Sequence, residues 1–295
     1  MAYKHSKKRS YMINLQHWRS AAALFACNIC MIACYYAVGE SIIYYIANDI
    51  YLGEYFRYYT TISNLLTMIA SGFVIPYAIT GFRTKRFVMP RWLCIMLYSG
   101  VVCITLTLVF VLCFISWYDP VFAFTGSNFY LHIVCPIMVL ICFYHVEAPY
   151  RYTKRDSLIA MIPFVIYSFF YFYNALISKR WPDLYMLNTF VPFWFSFPAL
   201  YLVTYCLAAV LRKASNYLKD LRQYLLLKDW GDNIDPIELN IEVYGLGRYY
   251  GTIGDEYDLS IPYDLMEALA KKYSLKAEDL TKIYVKGMMD AVNKK

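Results

Sequence analysis

Six stretches of this chain run for 20 residues or more without an Asp, Glu, Lys or Arg: 20–39, 58–82, 92–118, 120–146, 157–178 and 184–211, with lengths of 20, 25, 27, 27, 22 and 28. About 20 apolar residues in a helix cross the hydrocarbon layer of a bilayer, and only helices or closed barrels satisfy their backbone groups there. The pattern predicts an all-α membrane protein, a six-helix transmembrane bundle over residues 1–213. Its spans fall at about 20–39, 58–82, 92–118, 128–146, 157–178 and 186–211, the fourth helix starting near Asn128. Residues 214–295 differ. They hold 25 of the 49 charged residues and no comparable window, which predicts a small soluble C-terminal tail, α or α+β.

Orientation follows from the basic flanks. Fourteen Lys and Arg lie on the side of the N-terminus, the 83–91 and 151–155 loops and Arg212-Lys213, against Arg57, Lys179 and Arg180 on the other. The excess of Lys and Arg on cytoplasmic loops then places both termini in the cytoplasm, in a multi-pass protein of the cell membrane. The basic N-terminal run could open a signal peptide, but the apolar stretch from Ser20 to Val38 exceeds the usual 7–15 residues of such a segment, which favours an uncleaved first helix. The outer loop 39–57, rich in tyrosine, suits the membrane interface.

The second span carries an ordered polar stripe. Thr60, Ser63, Asn64, Thr67 and Ser71 fall at i, i+3, i+4, i+7 and i+11, one face of a helix. Hydroxyls and an amide in lipid need partners, so this face points into the bundle, where it joins helices or lines a site. Thr61 is displaced about 100° from Thr60. In the fourth span His132 is an ionisable group in the outer half of a membrane helix, which marks either a functional site or a hydrogen bond between helices. Thr60 and His132 both lie about 5–6 Å inside the same surface at 1.5 Å per residue. Asn64 is a turn deeper, and Asp183, before the sixth span, is at the same end. Pro136 is expected to bend the fourth helix near His132.

The nine cysteines all fall within the spans, none placed for a loop disulfide, and with no His or acid beside Cys27, Cys30 and Cys34 they read as small buried residues. No cofactor or metal site is expected. In the tail, Gly231 to Pro236 reads as a turn, Glu238 to Tyr244 alternates like a strand, and helices are expected from Pro262 and after Ser274. With 11 basic and 14 acidic residues from 214 onward the tail is unsuited to phosphate contact, so nucleic acid is not an expected partner. A protein partner fits it better. Transport is disfavoured, because the spans hold no acidic residue and only His132 and His145 to carry protons.

Tyr59-Thr60-Thr61-Ile62-Ser63-Asn64-Leu65-Leu66 in the second span, with Leu131-His132-Ile133-Val134-Cys135-Pro136 in the fourth, resembles a family of six-helix membrane proteins. This is the bacterial branch related to the androgen-induced membrane proteins of animals, and the likeness covers about residues 10–212. The animal members are intramembrane hydrolases that cleave fatty acid esters with a threonine and a histidine. The resemblance implies a lipid ester hydrolase in which Thr60 matches the threonine, Thr61 being the alternative, and His132 the histidine. In that chemistry His132 is the general base, Asn64 or Ser63 donates to the oxyanion, and Asp183 is a candidate to orient the histidine. Membrane lipid is then the substrate. The alternative is a non-enzymatic bundle that binds a lipid or membrane partner and couples it to the cytoplasmic tail.

Overall fold

Small residues at heptad spacing decide how the bundle assembles. In the computed structural model, which describes residues 2–84, 89–145, 151–185, 187, 192–228, 236–253 and 263–293, helix α1 (Ala2–Ala47) buries Ala23, Cys27, Cys30, Cys34, Ala37 and Ser41. Their alternating spacing of four and three is the a/d seam of a left-handed helix pair. Helix α2 (Tyr59–Thr84) answers with Asn64, Thr67, Ser71, Val74 and Ala78, all fully enclosed. Small side chains let two backbones approach closely inside a membrane, where packing rather than the hydrophobic effect holds helices together. The thiols and polar groups meet across the seam. Cys34 Sγ donates to Asn64 Oδ1 at 3.8 Å, and Ser71 Oγ to Cys30 Sγ at 3.4 Å.

Helix α3 (Arg91–Ile115) is the central element, two-thirds of its span enclosed. Gly100 makes its crossing with α2 possible: a Cβ there would stand 3.0 Å from Thr67 Oγ1. Helix α4 (Gly126–Tyr144) packs against α1 and α3, and the Cys27 and Cys142 sulfurs are 3.3 Å apart. Helices α5 (Lys154–Ile177) and α6 (Phe193–Lys228) close the bundle. Six helices among the described residues are long and apolar enough to span a membrane, and the molecule is a multi-pass, six-helix membrane protein.

Two boundaries differ from expectation. The first helix passes Glu40, exposed at the interface, and runs to Ala47, so the tyrosine-rich outer segment is largely helical. The sixth helix continues without a break to Lys228, so the amphipathic extension that the sequence offers from Ala214 to Asp229 belongs, as far as Lys228, to the same helix, and the division drawn at 213 marks a change of composition within it.

The tail is helical. Glu238 to Tyr244, expected as a strand, lies in helix α7 (Pro236–Ile253). The buried residues there are Leu239, Val243 and Leu246, at i, i+4 and i+7, while Ile241, which completed the alternating pattern, is exposed. Packing against a neighbour overrides a short period-2 signal. Helices α8 (Tyr263–Tyr273) and α9 (Ala277–Val292) stand where the sequence places two helices, and they share a separate core with α7 around Met266, Leu280 and Tyr284. Residues 231–235 of the expected turn lie outside the described residues.

The α7–α9 crossing depends on glycines. A Cβ at Gly287 would run into the Tyr244 carbonyl oxygen, and one at Gly247 into that of Tyr284. Gly287→Leu is therefore expected to separate α7 from α9 and cost the tail about 1–3 kcal/mol or more. Limited proteolysis of the purified protein should cut the variant's tail faster and leave the six spans intact. Unchanged cleavage would show that the helices cross elsewhere.

Candidate functional site

Three helices lose their α-register at the same end of the bundle. Wide, π-type turns occupy Val111–Ile115 at the end of α3, Tyr130–Val134 near the start of α4 and Phe172–Ile177 at the end of α5. Such turns occur frequently at functional sites. The cause in α4 is a proline. Pro136 has no N–H to give the carbonyl four residues back, that of His132, and its ring would strike that oxygen in a regular helix. The chain widens instead: the Cys135 N–H bonds to the Tyr130 carbonyl, five residues back.

That shift frees the Leu131 carbonyl from its usual donor, and α2 supplies one. Asn64 Nδ2 donates to Leu131 O at 3.3 Å and to Thr60 O at 2.8 Å. Both amide hydrogens are committed. Asn64 thus joins the polar stripe of α2 to the π turn of α4, and the oxyanion role expected of it would require giving up one of these bonds. Ser63 is engaged as well, with its hydroxyl on Thr60 O at 3.0 Å and 3.1 Å from that of Thr107 on α3.

His132, the next residue after Leu131, is 3 % exposed. Its Nδ1 lies 3.1 Å from the carbonyl oxygen of Ala123. A carbonyl only accepts, so Nδ1 carries the hydrogen, and in the neutral ring Nε2 holds the lone pair. The connection between α3 and α4 delivers this partner. A helical turn at Pro120–Phe124 is followed by Gly126 at φ +56°, in the left-handed region open to glycine, and the chain reverses into α4 with Ala123 against the ring. A backbone carbonyl therefore orients the histidine. Asp183, expected for that task, accepts from the Tyr171 hydroxyl at 2.6 Å and from the Leu187 N–H at 3.1 Å, bracing the loop between α5 and α6.

The two threonines have different surroundings. Thr60 is half-buried, whereas Thr61 is 1 % exposed. The expectation that Thr61 points away from the polar stripe does not hold, since at 100° per residue it stands only about 60° from Asn64 and widens the stripe toward α1. Its hydroxyl is beside that of Tyr55, on the one-turn 3-10 helix Leu52–Arg57, and Ser41 of α1 completes the group. Sequence reasoning passed over Tyr55 and Ser41. Tyr55 carried no signal of its own in a segment dense with tyrosine, while Ser41 extends the heptad of small residues in α1 by one step.

The start of α2 is fixed from the opposite side. The Tyr59 N–H, unpaired in the first turn of a helix, donates to the Tyr185 hydroxyl at 2.7 Å, and the Tyr167 hydroxyl donates to the Arg57 carbonyl at 2.6 Å. Burial pushes the Tyr185 hydroxyl up to about 12, so it remains neutral at this capping position. The loop before α6 thereby sets the height of both threonines relative to His132.

Among the described residues no group of three His, Cys, Asp or Glu side chains is arranged to hold a metal ion. No protein-family model, curated protein or solved structure matches the chain at a significant level.

Proposed function

We propose that this membrane protein is an intramembrane hydrolase of lipid esters, with Thr61 as nucleophile and His132 as general base. The observation that carries the reading is the His132 ring, enclosed in a π turn, its Nδ1 tied to Ala123 and its backbone neighbour Leu131 bonded to the threonine-bearing face of α2. Nε2 is the basic atom of a ring so held. The motifs in α2 and α4 that resemble the intramembrane threonine hydrolases support the same chemistry.

In the acylation step Thr61 Oγ attacks the ester carbonyl carbon while Nε2 takes its proton. The tetrahedral intermediate expels the alcohol, which receives that proton from the imidazolium. Water, activated by the same nitrogen, then cleaves the acyl-threonine and releases the carboxylic acid. The substrate lies in the outer leaflet, with both termini on the cytoplasmic side of the cell membrane, a reading that the 14 to 3 distribution of basic residues supports.

Thr61 rather than Thr60 is favoured by its enclosure with Tyr55. The test is fluorophosphonate labelling of membranes that contain the protein. Thr61→Ala should abolish labelling, and Thr60→Ala should retain it. The reverse result would return the nucleophile to Thr60, and wild-type membranes that neither label nor hydrolyse acyl esters would remove the enzyme reading. A second reading, a bundle that binds lipid and engages a protein partner through its tail, draws on the tail's separate core. It requires binding without turnover.

A further inference from the structure

Among the described residues, Tyr55 has its hydroxyl enclosed beside the candidate nucleophile. The residue is 4 % exposed, and its hydroxyl is buried without a hydrogen-bond partner among the described residues. The ring is held in place. It packs against Tyr45 at 5.4 Å and Phe56 at 5.6 Å between centroids, on a turn closed by the Glu54 N–H to the Tyr51 carbonyl at 2.9 Å. Ser41 and Thr61 stand next to the hydroxyl, outside hydrogen-bond geometry, and Ser41 gives its own proton to the Ala37 carbonyl at 3.0 Å.

A buried hydroxyl left without a partner is unfavourable, and one held rigidly at a site calls for an acceptor that arrives with a ligand. The chemistry of that acceptor is constrained. Tyr55 offers a single neutral donor, and the charge of Arg57, two residues on, is balanced by Glu54, 3.3 Å from its guanidinium, while the Arg57 Nε is itself buried without a hydrogen-bond partner among the described residues. An anionic headgroup would need a cation, whereas a carbonyl oxygen needs only one donor that strengthens its hold as negative charge develops.

On the hydrolase reading above, we propose that Tyr55 is a catalytic residue, the oxyanion donor: its hydroxyl bonds to the carbonyl oxygen of the acyl group that Thr61 attacks. The bond tightens as the carbonyl becomes tetrahedral and the oxygen takes up the electron pair, and it relaxes when the alcohol leaves. Burial raises the Tyr55 hydroxyl above its ordinary range, so it keeps its proton throughout the physiological interval, as a donor must.

The test compares wild type, Tyr55→Phe and Thr61→Ala in phosphatidylcholine vesicles with a long-chain p-nitrophenyl ester as probe. Tyr55→Phe should lower kcat by about 10²–10³-fold, the loss expected for one oxyanion donor, with little change in KM. It should leave the melting temperature unchanged or higher, because it deletes a buried group that lacks a partner. A melting temperature that falls together with kcat would assign the hydroxyl a structural role and overturn the proposal. Turnover at the wild-type rate by Tyr55→Phe, with Thr61→Ala inactive, would overturn the role of Tyr55 and leave the hydrolase standing. Absence of turnover in the wild type would overturn both.

Discussion

Exchanging His132 for Asn is expected to lower ester hydrolysis by about 10²–10⁴-fold, the range for loss of a general base, with the six spans still inserted. The choice of Asn follows from the geometry. Its amide N–H falls near the place of the ring Nδ1–H, so the contact that measures 3.1 Å to the Ala123 carbonyl is kept while Nε2 is removed. His132→Ala loses both. It adds about 1 kcal/mol of destabilisation for the missing hydrogen bond, more if the carbonyl is left without a donor. Turnover of an acyl ester and thermal unfolding, measured on the same preparations, separate the two contributions. An Asn variant as active as wild type would reduce His132 to a strut between α4 and the preceding loop.

The largest loss of stability is expected at the opposite end of the bundle, from Asp156→Ala. Asp156 is fully enclosed. Its carboxylate accepts from the Thr153 N–H at 2.6 Å, the Thr153 hydroxyl at 2.8 Å and Arg91 at 3.1 Å. The first two form, with the return bond from the Asp156 N–H, the capping box that starts α5, and the third ties α5 to the start of α3. Removing one partner of a buried pair costs about 3–5 kcal/mol, and Arg91, whose side chain is 36 % exposed, brings this case toward the lower figure. Beside it Tyr152 and Asn216 exchange two bonds that hold α6, so the loss at Asp156 should loosen three helices together. Unfolding in detergent should show it as a lowered melting temperature. A change below about 1 kcal/mol would mean that water already screens the pair.

The spans were legible because charge is excluded from hydrocarbon with little regard to detail. The polar stripe of α2 was legible too, as far as its direction: Asn64, Thr67 and Ser71 face inward. Its use was not. The Leu131 carbonyl that Asn64 meets is freed by a change of helical register, and Pro136 announces that some bond will be lost without saying whether the helix bends or widens. The choice between Thr60 and Thr61 was not legible for a related reason, since a 100° step separates adjacent residues but not a stripe broad enough to include both. Tyr55 was hidden by its surroundings, because tyrosines near a membrane surface are expected as anchors. In the tail, Leu239, Ile241 and Val243 fit a strand and a helix alike until α9 decides which of them is covered.

The unbroken course of α6 has a consequence for anything that reaches the tail. Its 36 residues make a rod of about 54 Å at 1.5 Å per residue, against about 30 Å of hydrocarbon. With Phe193 seated on Phe172 at the π-turn end of the bundle, 5.2 Å between ring centroids, the surplus emerges at the other end. The rod works as a mast some 20–25 Å tall by the same arithmetic. Helix α1, which leaves the membrane on that same side after six crossings return the chain, provides a second. The tail is thus attached above the layer of lipid headgroups.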